Sequence, residues 1–192
     1  MLFNSLTFVV FFALVLAIHN APLSWTTKKT NLLISSYLFY AAWNPPFLIL
    51  VCLSTVIDWH VAKRMFVEQK QRRRKMLLAV SVAVNLGILG YFKYGGFLLD
   101  NFIALAASVG IDYQAADWSI VLPVGISFYT FQTMAYSLDV YLRRAEPSKS
   151  FLEFALFVTF FPQLVAGPIV RPAHLLPQFA VPRVATPQQL YW

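Results

Sequence analysis

Residues 76–92 form a run of 17 residues without a single charge, and it follows directly on residues 60–75, which hold Lys63, Arg64, Lys70, Arg72, Arg73, Arg74 and Lys75 against one acid, Glu68. A helix needs about 17–25 apolar residues to cross a ~30 Å hydrocarbon core. Lysine and arginine collect in the cytoplasmic loops between spans. This junction therefore constrains the whole chain: apolar runs must pack in or against lipid, and the charged stretches must lie outside it. Composition agrees. Of the 192 residues 59% are hydrophobic and 12% charged, where soluble domains carry about 25% charged residues. The net charge of +7 sits in clusters between apolar runs, a pattern of membrane topology and not of nucleic-acid binding.

The same reasoning predicts an all-α, polytopic transmembrane fold with spans near residues 2–18, 25–43, 46–59, 76–92, 120–141 and 151–170. The first run lacks the basic start and cleavage site of a signal peptide, so it is expected to be a retained span. Ser24 is placed to cap the second helix, with Lys28 and Lys29 reaching back to the interface. Asn44-Pro45-Pro46 ends that helix and starts the next. Residues 60–75 read as a cytoplasmic loop, which puts the N-terminus on the periplasmic side. Gly95-Gly96 reads as a break, and 97–109, carrying Asp100, as a short re-entrant or interfacial segment. Residues 110–117 read as an outside loop. Asp139 lies four residues before Arg143, a spacing that suits a local ion pair. Ser150 and Glu153 have capping-box spacing. The helix they start meets Pro162 after about 11 residues, roughly 17 Å, so it must kink or turn back. Pro172, Pro177, Pro182 and Pro187 read as punctuating a non-membrane tail, and 190–192 as the start of a further apolar run.

Chemistry-bearing residues are few. The lone Cys52 lies in an apolar run and excludes an internal disulfide. His19, His60 and His174 have no metal-ligand spacing, and no metal is expected. No nucleophile elbow, phosphate loop or dinucleotide fingerprint occurs. The polar residues inside apolar runs are the remaining candidates. Gln132 sits mid-span and Gln163 in the run broken by Pro162, Gly167 and Pro168, with Arg171 just beyond. An amide in hydrocarbon needs partners. It finds them in another helix or in the wall of a polar tunnel, and irregular backbone at membrane depth survives only inside protein or beside a cavity.

Several of these stretches carry a family resemblance. Ser36-Tyr-Leu-Phe-Tyr-Ala-Ala-Trp-Asn-Pro45, Asn85-Leu-Gly-Ile-Leu-Gly-Tyr-Phe-Lys-Tyr94, Leu122-Pro-Val-Gly-Ile-Ser-Phe-Tyr-Thr-Phe-Gln132, Asp139-Val-Tyr141 and Phe160-Phe-Pro-Gln-Leu-Val-Ala-Gly-Pro-Ile-Val-Arg171 occur in order, after an opening Met-Leu-Phe-Asn-Ser. Together they resemble the bacterial membrane-bound O-acyltransferases, and among those the alginate O-acetylation membrane proteins. The resemblance implies a helical fold in the cytoplasmic membrane with a tunnel through it. It implies transfer of an acyl group, commonly acetyl, from a thioester such as acetyl-CoA to an exported polysaccharide, with periplasmic partner proteins and no bound cofactor. Pro162, Gln163, Gly167, Pro168 and Arg171 would be structural or tunnel-lining. The family's catalytic histidine belongs to a later apolar segment that none of His19, His60 and His174 matches. No catalytic residue is therefore assigned, and the chain is expected to be the N-terminal part of a longer enzyme. The alternative from the residues themselves is a non-enzymatic transporter or assembly subunit, since broken helices with midplane polar groups also serve transport.

Overall fold

A computed structural model of the chain describes residues 5–113, 121–167 and 170–182. These form eight helices and no strand: α1 Leu6–Asn20, α2 Trp25–Ala41, α3 Pro46–Val67, α4 Gln71–Ser108, α5 Ile126–Tyr141, α6 Phe151–Thr159, α7 Phe161–Ala166 and α8 Pro172–Ala180. The short helix α6 is the centre. Residues 154–159 are buried without interruption around the whole helix. A helix that is apolar on every side stands inside a protein or a membrane. Here α2, α3, α5, α7 and α8 all pack on it. The outer helices bury only a stripe. In α3 this is Val51, Ser54, Thr55, Asp58, Val61, Ala62 and Met65, spaced three or four apart. In α4 it is Ser81, Asn85 and Leu89 at every fourth residue, with Ala106 further on. The remaining apolar residues, among them Leu6, Val9 and Leu14 on α1 and Phe97, Phe102 and Leu105 on α4, are exposed. Helices α3 and α4 are each long and apolar enough to cross a membrane. With so much apolar surface outside the packing, this is a membrane protein.

Local sequence explains most helix ends. Ser24 caps α2 by accepting the Thr27 amide at 3.2 Å. Pro46 opens α3 at a first-turn position where its missing N–H costs nothing, although the Asn44 side chain makes no capping bond there. Gly125, at φ +72°, starts α5 in the left-handed region that glycine enters without a steric penalty. Ser150 accepts the Glu153 amide at 3.4 Å at the start of α6.

Several expectations are corrected. The stretch 60–75 is not a loop: α3 runs to Val67, α4 begins at Gln71, and only Glu68–Lys70 turn between them. The cations therefore ride on helix ends, where long side chains reach outward without unwinding the backbone. Gly95-Gly96 does not break the chain, and 97–109 is not a separate segment, because α4 runs unbroken for 38 residues, about 57 Å at 1.5 Å per residue. Two glycines cost a helix only about 1 kcal/mol each, whereas proline costs ~3, and no proline occurs here. Asp139 and Arg143 form no ion pair. Arg143 adopts φ +58° after the end of α5 and lays its guanidinium 4.8 Å from the Phe66 ring centroid. The capping box is half made, because the Glu153 carboxylate turns to Lys29. Lys29 is accordingly buried and does not reach the interface. The proline-rich stretch after Arg171 folds as α8, with Pro172 in its first turn and Pro177 inside it. Residues 114–117 of the expected outside loop, Pro187 and residues 190–192 lie outside the described residues.

Candidate functional site

Helix α5 stands between two partners and presents a polar face to each. One face carries Tyr129, Gln132 and Tyr136, of which Gln132 and Tyr136 meet α6. The other carries Thr130, Thr133 and Ser137 toward α3 and α4. All six are fully buried.

The first face holds the break in the α6–α7 helix. Pro162 has no amide to continue the hydrogen-bond ladder, and the helix stops at Thr159, with Phe160 leaving the helical region at φ −55°, ψ 109°. The last carbonyls of a helix lack intrahelical partners. Gln132 Nε2 supplies one, donating to the Phe157 carbonyl at 2.8 Å. On the far side, the Phe161 amide donates to Ser36 Oγ of α2 at 3.3 Å. The new helix is then fixed by aromatic packing: the Phe161 ring lies 5.3 Å from Phe11 and 5.4 Å from Phe39. Gln132 Oε1 is buried without a partner among the described residues.

The second face forms a buried network around Asp58. Ser81 Oγ donates to Asp58 Oδ1 at 2.5 Å and Asn85 Nδ2 donates to Asp58 Oδ2 at 2.8 Å. Thr133 Oγ1 donates to Asn85 Oδ1 at 3.0 Å, and the Ser81 and Ser137 hydroxyls are 2.9 Å apart. Asn85 spends its other N–H on the Ser81 carbonyl at 2.9 Å. Among the described residues the acid has no cation beside it: its carboxylate accepts from two neutral donors of α4. Where lipid surrounds a bundle, helices gain little from hydrophobicity and rely on packing and interhelical hydrogen bonds. This network joins α3, α4 and α5. The Lys29–Glu153 pair does the same for α2 and α6 at 2.5 Å, with side chains only 9% and 18% exposed.

Of the residues singled out from sequence, Gln132 is the amide that holds the helix break, and Pro162 causes that break. Pro162 also edges an apolar groove of about 320 Å³ with Phe12, Leu16, His19, Leu32 and Phe160. Gln163 is buried beside Gly167, whose missing Cβ would lie 2.8 Å from Gln163 Cα. Arg171 is exposed at the start of α8, and Pro168 lies outside the described residues. The histidines are not brought together. His19 sits edge-on to Trp25, His60 Nδ1 lies 2.8 Å from the Val56 carbonyl, and His174 is exposed on α8. Among the described residues no three metal-ligating side chains cluster. Sequence reasoning missed Asp58. Its signal was present: it is the lone acid of an otherwise uncharged run, and an intramembrane acid marks a functional or packing centre by default.

No family model matches the chain, and no solved structure matches it. Curated relatives do. The chain is 38% identical over 153 residues to a Pseudomonas aeruginosa protein named probable alginate O-acetylase, covering 79% of this chain and 29% of the relative. A protein of the same name from Pseudomonas putida is 37% identical over 155 residues, covering 79% and 31%. A Helicobacter pylori protein named peptidoglycan O-acetyltransferase is 34% identical over 175 residues, covering 79% and 32%. The chain thus spans about three-tenths of the length of the curated relatives it matches. Over that shared stretch the chain is homologous to the bacterial O-acetylation proteins, the family its ordered motifs resemble.

Proposed function

We propose that the chain is part of a membrane O-acetyltransferase that passes an acetyl group from a thioester donor such as acetyl-CoA to hydroxyls of an exported polysaccharide or cell-wall polymer. The observation that carries this reading is the similarity over 79% of the chain to relatives named for O-acetylation of alginate and of peptidoglycan. The structure supports it through the motif stretch at Phe160. That stretch forms a helix broken by Pro162 and secured by Gln132 and Ser36, the kind of backbone that membrane proteins keep beside a pathway. Transfer to a hydroxyl needs a general base within hydrogen-bond reach of the acceptor proton. None of His19, His60 and His174 is assigned that role, so in this reading the base lies outside these 192 residues and the chain expressed alone is inactive. Periplasmic acetylation proteins complete the transfer, and the chain sits in the cytoplasmic membrane as a multi-pass protein with its N-terminus periplasmic and the α3–α4 turn cytoplasmic.

Two experiments test this. Deleting the gene removes O-acetyl groups from the envelope polymer, measured by proton NMR of the purified material, and a complete gene copy restores them. Unchanged acetylation with altered export of the polymer would instead identify a transporter. Reporter fusions near residue 70 read cytoplasmic and those near residue 114 periplasmic. The opposite pattern overturns the topology.

A further inference from the structure

The α3–α4 turn carries more cations than it uses. Lys63 lies 3.8 Å over the Trp59 ring centroid, and Arg74 donates to the Tyr141 carbonyl. Arg73 is shared with Glu68 at 3.6 Å, an exposed pair of little strength. Arg64 and Lys70 have no side-chain acceptor among the described residues. These last three cations border one open groove of about 710 Å³. Its floor is apolar yet uncovered: Val67 is 71% exposed, Met76 64% and Val80 48%. The two characters are ordered along the helix. Arg73, Met76, Leu77 and Val80 share one face of α4 by their spacing of three, four and seven. Val80 therefore lies about 10 Å deeper than Arg73.

We propose that this groove binds one anionic phospholipid, its phosphate held by Arg64, Lys70 and Arg73 and an acyl chain lying along Met76 and Val80. Arginine and lysine at a helix end recognise a phosphodiester by charge and by charge-assisted hydrogen bonds. A soluble anion would leave the apolar floor wet, and a zwitterionic lipid would leave the cations uncompensated. With Glu68 the only acid at the groove, the lining is net cationic by two charges. The inference rests on the membrane setting alone and not on acetyl transfer, so failure of either leaves the other standing.

The test uses purified protein in nanodiscs of phosphatidylglycerol and phosphatidylcholine, with lipid retention read by native mass spectrometry. Wild type retains phosphatidylglycerol in preference. In the triple variant R64Q/K70Q/R73Q the preference falls about five-fold per charge removed. The pair R72Q/K75Q, outside the groove, changes it little. Glu68→Gln raises retention, a gain that damage to the fold would not produce. Equal retention of both lipids overturns the proposal. So does an equal loss in R72Q/K75Q, which would show diffuse attraction. Displacement by inorganic phosphate as readily as by a short-chain phosphatidylglycerol would make it an anion site with no lipid specificity, and also overturns it.

Discussion

Replacing Asp58 probes the network that joins three helices. In Asp58→Ala, Ser81 loses its acceptor at 2.5 Å and Asn85 loses one at 2.8 Å. Each orphaned buried donor costs about 1–3 kcal/mol, giving ~2–6 kcal/mol. The Ser81 hydroxyl can turn to Ser137, 2.9 Å away, and loosened helices in a membrane find substitute partners, which pulls the expectation to the low end, about 2–3 kcal/mol. For a chain of this size that is roughly 4–12 °C of melting temperature. Asp58→Asn behaves differently. Its amide can donate to Ser81 Oγ, the Ser81 hydroxyl then turns to Ser137, already 2.9 Å away, and its carbonyl accepts from Asn85. Ser81 and Asn85 thus both keep a partner, so the change stays within about 1 kcal/mol. The assay is tryptophan-fluorescence melting in detergent, with Asn85→Ala completing a double-mutant cycle. Coupling between Asp58→Ala and Asn85→Ala should exceed ~0.5 kcal/mol. The reasoning is refuted if Asp58→Ala melts like wild type, or if Asp58→Asn is as damaging as Asp58→Ala.

Four further outcomes are expected. Lys29→Ala leaves the half-buried Glu153 carboxylate unpaired and costs about 1–3 kcal/mol, while the double change K29M/E153M recovers most of it; melting of both variants against wild type decides. Gln132→Leu strips the Phe157 carbonyl of its donor, costs about 1–3 kcal/mol, and speeds amide exchange around residues 157–161 as seen by mass spectrometry. Gly125→Ala places a Cβ 3.1 Å from the Leu164 carbonyl at φ +72°; a left-handed L-residue costs about 1–2 kcal/mol before any clash, and the melting temperature drops accordingly. Glu68 is held below its usual carboxylate range, first by the Lys70 backbone amide and then by Arg73. Because that folded value is depressed, the stabilisation is present above the ordinary value of 4.5 and is lost as pH falls through the folded one. The melting difference between wild type and Glu68→Gln should be constant near neutrality and vanish in acid.

How far the chain could be read in advance depends on the range of the physics involved. Ser24 and Pro162 act within one helical turn, so the α2 cap and a kink or turn at Pro162 were legible from spacing alone; that the helix already stops at Thr159 was not. The membrane character was equally plain, because it is a sum over composition and needs no partner. The family, too, followed from motifs in order. Gln132 was legible as a buried amide that needed a partner, but not which one: the Phe157 carbonyl is free because its i+4 donor, the Phe161 amide, goes to Ser36 where the helix breaks.

What only the tertiary structure decided are the meetings of distant residues. Lys29 and Glu153 are 124 positions apart, and local spacing assigned each a different role, one at an interface and one in a capping box. Asp58 finds Ser81 and Asn85 23 and 27 positions on, although nothing near Asp58 in sequence announces them. Gly95-Gly96 erred the other way: a local weakness of about 2 kcal/mol did not stop a helix whose flanks are apolar and free of proline. Periodicity reports which face of a helix is polar. Which partner satisfies that face is set by packing around α6.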